Sequence, residues 1–181
     1  MKTKFLIFAL SAISYLQVSA QLFSTSSGFV GFYSKTNLED VKAENNSAFA
    51  MINIPKRELA FIVTNTAFDF PNKLMQEHFN EKYIESEKYP RSTFSGTINE
   101  NVDLSKDGEY KVNVAGKLKI HGVEQPRTIS GTITVKDGNI KLVSSFKVKA
   151  ADHKITIPSV VMVKLAEEMD VNVNATLVPK K

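Results

Sequence analysis

The sequence predicts an all-β fold, an eight-stranded antiparallel barrel with one or two short helices. Three observations lead to this prediction. Apolar and polar residues alternate along most of the chain, Asp-Gly pairs separate several alternating segments, and one amphipathic helical segment interrupts them. Alternation with a period of two indicates strands with one buried and one solvated face, which is typical of antiparallel sheets.

The first twenty residues are predicted to be a secretory signal peptide. Lys2 and Lys4 precede the mostly apolar run Phe5–Leu16, which is shorter than the roughly 20 residues that a membrane-spanning helix needs. The following Val18-Ser19-Ala20 has the small residues that a signal peptidase accepts. We therefore assign residues 1–20 to the signal and residues 21–181 to a single β-barrel domain, which is periplasmic or secreted after cleavage at Ala20.

The alternation delimits the strands, and turn residues separate them. Asp137 and Gly138 join two strands directly, Asp107 and Gly108 introduce another, and Pro55–Arg57 separates a third pair. A second short helix is expected at Ser159–Glu168, before the last strand. The predicted strands are Phe29–Lys35, Ala48–Ile54, Glu58–Asn65, Thr93–Asn99, Glu109–Ile120, Arg127–Lys136, Asn139–Lys149 and Met169–Val178.

The segment between the third and fourth strands predicts a helix over Asn72–Glu81. Asn72 can cap its first turn, and apolar residues follow at helical spacing. Pro90 returns the chain to an extended conformation, because the residue before a proline disfavours helix. A helix inserted between strands can cover one end of a barrel, so Met75 and Phe79 are predicted to act as a lid.

The interior of the barrel is predicted to be apolar. The alternate faces carry Lys, Asn, Asp and Thr, and each Lys or Arg in a lipid-facing wall would cost roughly 2–4 kcal/mol, so the outer wall faces water. A barrel of this size is either filled by side chains or holds one small ligand, and both remain open at this stage. The predicted lining residues are Leu59, Phe61, Val63, Tyr110, Val112, Val114, Leu118, Ile133, Leu142, Phe146, Val171 and Val173.

The titratable residues give no pattern for a metal site or a catalytic site. The chain has no cysteine, and its three histidines have neither the spacing nor the partners of a metal-binding motif. Inward positions carry almost no carboxylates, which argues against acid–base catalysis. His78 and His121 are hydrogen-bonding residues of a helix and a turn, or alternatively contacts for the polar head group of a ligand.

Three segments carry a resemblance to a known family: MQEHFNEKYIESEKYPRSTFSG, LKIHGVEQPRTISG and FKVKAADHKITIP. They resemble the signature blocks of the YceI family, whose members are exported, lipocalin-like and described as polyisoprenoid-binding. The resemblance covers most of the mature chain. It implies an extended eight-stranded barrel that encloses a long isoprenoid chain, such as a quinone tail or a polyprenyl lipid.

Three functions are compatible with these observations. The first is a non-enzymatic carrier of an isoprenoid or another long apolar lipid, with no cofactor other than the bound lipid. The second is a filled barrel that serves as a structural or stress-linked interaction module, and the third is a lipid-modifying enzyme. Basic residues are spread along the chain, so neither nucleic acid nor stable membrane insertion is expected; a homodimer is left open.

The signal-peptide assignment predicts a mature protein that begins at Gln21, because Val18 and Ala20 are the small residues that the peptidase accepts. Mass spectrometry of the exported protein measures this directly. A mature species that retains Phe5–Leu16 would show that the segment is an anchor.

Overall fold

A computed structural model describes residues 22–34, 40–157 and 168–180. Its eight strands hydrogen-bond in sequence order, and the first also pairs with the last, which closes an antiparallel barrel. The predicted fold class is thereby confirmed. The strands are β1 (Leu22–Ser34), β2 (Val41–Asn53), β3 (Glu58–Thr64), β4 (Arg91–Ile98), β5 (Gly108–Ile120), β6 (Val123–Lys136), β7 (Asn139–Lys149) and β8 (Glu168–Pro179).

The helical segment lies between β3 and β4. Helix α1 spans Lys73–His78, and Asn72 caps it, because its side-chain oxygen accepts hydrogen bonds from the backbone N–H groups of Leu74 (3.0 Å) and Met75 (3.3 Å). The chain then widens into one π-helical turn, Phe79–Tyr83. There the Asn80 side-chain amide donates to the Gln76 carbonyl oxygen at 3.0 Å. The predicted helix over Asn72–Glu81 is therefore an α-helical turn followed by a π-turn.

Strands β1 and β2 begin earlier than the sequence pattern predicts. The pairing of β1 with β2 shifts register between Thr25 and Val30, so alternation is lost there and the sequence pattern does not show that β1 begins at Leu22. In β2 the Asn45-Asn46-Ser47 segment resembles a turn. Asn45 is instead fully buried, and its amide donates to the Thr64 carbonyl at 3.0 Å. The second predicted helix, Ser159–Glu168, lies outside the described residues except for Glu168, which begins β8.

The two ends of the barrel are built differently. At the end where β1, β3, β5 and β7 begin, Ile52, Ile133, Ile140 and Leu177 are at most 1% exposed, and Leu104 from the β4–β5 connection packs against this core. We call this the filled end. At the opposite end, the segment between β3 and β4 lies against a second, smaller apolar cluster. We call this the lid end, and within the described residues a sizeable interior cavity opens here.

The orientation of the side chains predicts where the barrel tolerates charge. Phe61→Arg and Val112→Arg place an unpaired charge among apolar groups, so we expect loss of folding or of ligand retention. Lys111→Ala and Lys119→Ala alter exposed side chains and should change the free energy of unfolding by less than about 0.5 kcal/mol. Chemical denaturation compares the two sets, and equal tolerance would mean that the assignment of inner and outer faces is wrong.

Candidate binding cavity

A cavity of about 490 Å³ occupies the lid end of the barrel, and we call it the wide chamber. Strands, the β3–β4 connection and the segment after β7 all contribute to its wall. Most of these side chains are apolar, so the wall offers contact area but few hydrogen bonds. Its described strand residues include Val30, Val41, Val63, Ile120, Val148, Met169 and Val171, and the connecting segments add Phe68, Phe70, Met75, Phe79, Ile84, Ala150, Ile155 and Ile157.

An aromatic cluster fixes the lid against the barrel wall. The Phe79 ring lies 5.7 Å from Phe32, 5.7 Å from Phe68 and 5.1 Å from Phe70, measured between centroids. Phe32 also meets Phe68 and Phe70 edge-on, at 5.4 and 5.8 Å. Aromatic pairs with this geometry contribute roughly 0.5–1.5 kcal/mol each beyond their buried area. Phe79, the first residue of the π-turn, therefore anchors the lid against the barrel wall.

A second cavity of about 110 Å³, the narrow chamber, lies deeper in the barrel. Leu59, Phe61, Val114 and Phe146 are among its wall residues. Val30, Val63, Ser92 and Val171 line both chambers, so the two adjoin at this ring of residues. A long flexible ligand held in the wide chamber would meet the narrow chamber along its path into the barrel.

The residues predicted to line the barrel lie mostly around the narrow chamber. Ten of the twelve do so, and two of these, Val63 and Val171, also line the wide chamber. Leu118 lies in the packed core and lines neither chamber. Tyr110 also lines neither chamber. Its hydroxyl is 3.0 Å from the carbonyl oxygens of Asp103 and Lys106, and these contacts hold the β4–β5 connection in place at the filled end.

Some of the residues predicted to form the lid or to contact a head group line a chamber, and one does not. Met75, Phe79 and His78 line the wide chamber. His121 lies outside both chambers, because its ring is engaged by Glu85 and by the backbone carbonyl of His153. Of the two interpretations that the sequence left open for His121, the structure shows the hydrogen-bonding residue of a turn, which packs behind the chamber wall.

Sequence reasoning missed much of the wide chamber. Phe32, Phe68 and Phe70 were not selected, nor were Ile155 and Ile157 after β7. A signal was present in Phe68-Asp69-Phe70, whose alternation just before α1 marks a short strand-like segment. The backbones of Asp69 and Glu44 exchange two hydrogen bonds, at 2.8 and 3.0 Å, so this segment pairs with the edge of β2.

Asn65 holds together the two ends of the segment that carries the lid. Its fully buried side chain donates to the Tyr89 carbonyl at 2.6 Å and accepts from the Ser92 hydroxyl at 2.8 Å. Its backbone N–H donates to the Pro90 carbonyl at 2.9 Å. We call this group of contacts the Asn65 clamp. It places the end of β3 beside the start of β4, so the intervening residues must lie at the open end of the barrel.

The electrostatics of the chambers favour binding over proton chemistry. Among the described residues that line them, His78 and Tyr83 are the only titratable groups. The resolved carboxyl pKa shifts lie elsewhere: hydrogen bonds from Ser105 and Lys106 lower the pKa of Asp103 to about 2 at the filled end. No group of three or more His, Asp or Glu side chains in the described ranges is arranged to hold a metal ion.

A family model for the YceI-like domain matches residues 11–177. The chain belongs to the YceI family. A search of the curated proteins finds no match. Within the part of this YceI-family chain that the structure describes, no helix has the length and hydropathy to cross a membrane.

Solved structures share the fold of this YceI-family barrel. A polyisoprenoid-binding domain from Saccharophagus degradans, implicated in plant cell wall breakdown, has a TM-score of 0.75 at 14% identity, with 90% of this chain and 100% of that chain covered. BcnA from Burkholderia cenocepacia has a TM-score of 0.69 at 17% identity, covering 83% and 96%. A YceI protein from Campylobacter jejuni has a TM-score of 0.55 at 19% identity, covering 100% and 99%. At these identities the likeness shows the fold alone.

The Asn65 clamp predicts a large cost for a small substitution. Asn65→Ala leaves the half-buried Tyr89 carbonyl and Ser92 hydroxyl without their partner, and each lost hydrogen bond costs roughly 0.5–1.5 kcal/mol. The matched change Asn174→Ala removes an exposed amide on β8 and should cost less than about 0.5 kcal/mol. Urea denaturation of both variants measures the difference, and equal stabilities would show that the clamp contributes nothing.

Proposed function

We propose that this chain carries a long apolar lipid, such as an isoprenoid quinone or a polyprenyl lipid, inside its barrel. The observation that carries the proposal is the wide chamber: an apolar cavity of about 490 Å³ beneath a lid and adjoining a narrower cavity deeper in the barrel. Burial of each methylene group stabilises such a complex by about 0.8 kcal/mol. A hydrocarbon chain would gain that energy along its whole enclosed length.

The size of the chambers sets the ligand that fits. A water-sized group takes about 30 Å³ in a liquid, so the two chambers together hold roughly 20 such groups. This corresponds to roughly four isoprene units of five carbons, on the same estimate. His78 and Tyr83 line the wide chamber and are the side chains best placed to meet a polar head group.

The similar domain from Saccharophagus degradans is described as polyisoprenoid-binding, which supports the same ligand class for this chain. The alternatives fit less well. A filled structural barrel would account for the end with Ile52 and Leu177 but not for the hollow lid end. A lipid-modifying enzyme would need an acid or base in contact with the ligand. His78 and Tyr83 are the only titratable groups among the described lining residues, and no carboxylate lines the chambers to pair with them.

The proposal includes export. The apolar segment at the N-terminus supports cleavage at Ala20 and a periplasmic or secreted carrier, since a water-insoluble lipid needs a carrier to cross an aqueous compartment. The oligomeric state, including a homodimer, stays a prediction.

Lipid extraction and titration test the carrier function together. We expect the purified protein to release a long apolar lipid into organic solvent, identified by mass spectrometry. In titrations from geraniol and farnesol to long polyprenols, the affinity should rise with length and level off at roughly four units, when both chambers are full. No bound lipid and no dependence on chain length would overturn the proposal and favour the filled structural barrel.

A matched pair of variants tests whether the ligand passes between the chambers. Val171→Phe adds volume at the ring shared by both chambers, so the affinity should level off at a shorter chain length. Val178→Phe makes the same change at a side chain that is 53% exposed and should leave the titration unchanged. Identical length profiles for the two variants would show that the ligand stays in the wide chamber or binds elsewhere.

A further inference from the structure

The barrel wall is interrupted between β6 and β7. The two strands are 14 and 11 residues long, yet their ladder runs from the pair Gly131 and Ser144 to the pair Lys136 and Asn139 and stops there. Toward the lid end, residues 123–130 of β6 and 145–149 of β7 are all described and make no ladder pair with each other. We call this unpaired stretch the seam. On their other sides β6 and β7 stay paired with β5 and β8, so the interruption is local.

The sequence gives a reason why the ladder stops. Pro126 lies in the seam part of β6, and a proline has no N–H to donate, so prolines in sheets are confined to edges and bulges. At the last pair of the ladder, the Ser130 carbonyl accepts a hydrogen bond from the Ser144 hydroxyl at 2.7 Å. A side chain thus satisfies a backbone group at the point where the two strands part.

Side chains make the contacts that cross the seam. The Arg127 guanidinium donates to the Lys147 carbonyl oxygen, and its Nη1 lies 3.9 Å from Oδ2 of Asp152. The Gln125 amide donates to the Asp152 carbonyl at 2.7 Å. Side chains near the surface change rotamer far faster than strands separate. The Arg127 bridge can therefore swing aside while the backbone ladders of the barrel stay intact.

The seam connects the narrow chamber with a groove on the outer surface, which has a volume of about 730 Å³. Residues of β6 and β7 beside the end of the ladder line both spaces. These shared residues are Ser130, Gly131, Thr132, Val143 and Ser144. The interior of the barrel therefore continues to the outer surface at this place.

The outer groove offers an apolar chain a surface to lie against. Val143 is 44% exposed there, although it is a large apolar side chain, and Phe29 on β1 lines the same groove. Covering exposed apolar area with a hydrocarbon is favourable. The exposed amides of Asn113, Asn172 and Asn174 also line the groove, so a chain in it is held less firmly than a chain inside the chambers.

The limited capacity of the chambers gives such an opening a use. The two chambers hold roughly four isoprene units together. The filled end offers no exit, because Ile52, Ile140 and Leu177 are fully buried there. A longer chain whose head group stays near His78 and Tyr83 must therefore leave the barrel through its wall, and the seam lies at the inner end of its path.

We propose that the seam is a lateral outlet: the far end of a polyprenyl chain that is longer than both chambers passes between β6 and β7, beside Phe146, and lies in the outer groove against Val143. Arg127 closes the outlet when no chain occupies it. The inference extends the ligand class to chains longer than roughly four isoprene units, and this part of it rests on the proposed function.

Thiol modification tests the outlet without any ligand. The chain has no cysteine, so Phe146→Cys places a single thiol in the narrow-chamber wall beside the seam, and Leu59→Cys places one in the same wall on β3. Addition of Arg127→Ala should accelerate modification of the Phe146→Cys protein by a charged methanethiosulfonate about tenfold, the change expected when one charge-assisted hydrogen bond is lost. The Leu59→Cys rate should stay unchanged.

Lys141→Ala is the matched control for Arg127→Ala. It removes the same charge from an exposed position on the paired part of β7 and should change neither rate of modification. Equal acceleration in both cysteine proteins would show a general loosening of the barrel, and no acceleration in either would show that Arg127 closes nothing. Each of these results would overturn the outlet.

A covalent bridge across the seam makes the opposite change. Thr128 and Lys147 are exposed and would face each other if the ladder continued, so Thr128→Cys and Lys147→Cys joined by a short bis-maleimide close the wall. The bridged protein should bind geranylgeraniol like the parent but the much longer solanesol about tenfold more weakly. The same bridge between Thr134→Cys and Lys141→Cys, a pair inside the ladder, should leave both affinities unchanged.

The outcomes separate the two proposals. If the bridge across the seam weakens solanesol no more than geranylgeraniol, the far end of the chain leaves by another route and the outlet is overturned. If Arg127→Ala exposes the Phe146→Cys thiol as expected but neither alcohol binds, the opening in the wall stands and the carrier proposal fails. If both alcohols bind and neither the thiol nor the bridge responds, the carrier proposal stands without the outlet.

Discussion

The hollow half of this barrel depends on Asn65. A closed ring of strands leaves the β3–β4 connection no place except across one end, and the clamp from Asn65 to Tyr89, Pro90 and Ser92 brings both ends of that connection together. The intervening residues then span the opening as a lid instead of continuing β3. A fully buried amide is costly unless all its hydrogen bonds are made, and here its side chain is paired at both ends. This constraint positions the lid before Phe79 contributes any packing.

The division of the barrel into a filled end and a lid end explains how a hollow protein can remain stable. The filled end buries isoleucine and leucine side chains almost completely, and the chain has no disulfide to supplement them. Packed apolar groups of this kind are the main favourable term in folding. The lid end gives up part of that packing to form the wide chamber, which a bound hydrocarbon would restore. For a lipid carrier, ligand and side chains are therefore interchangeable sources of the same stabilisation.

The sequence predicted the strands of the barrel well and the residues of the wide chamber less well. The difference has a physical reason. Period-two alternation and the Asp137-Gly138 turn depend on local geometry, so the strands from β3 onward were found to within a few residues. The early parts of β1 and β2 were missed because register shifts and the buried Asn45 conceal the alternation. The wide chamber combines Phe32, Phe70 and Ile155 from distant parts of the chain. No local sequence pattern shows that these residues lie together in the fold. His121 illustrates the same limit, since its partners Glu85 and His153 are far from it in sequence.

The central claim is that an apolar lipid lies inside the barrel, and intermolecular nuclear Overhauser effects test it most directly. In a complex of methyl-labelled protein with an unlabelled polyprenol, we expect contacts from the ligand to the methyl groups of Val63 and Val171, which line both chambers. We expect none to Val178, which is 53% exposed on the outer surface. Contacts to Val178 without contacts to Val63 and Val171 would place the lipid on the outside of the barrel and contradict the claim.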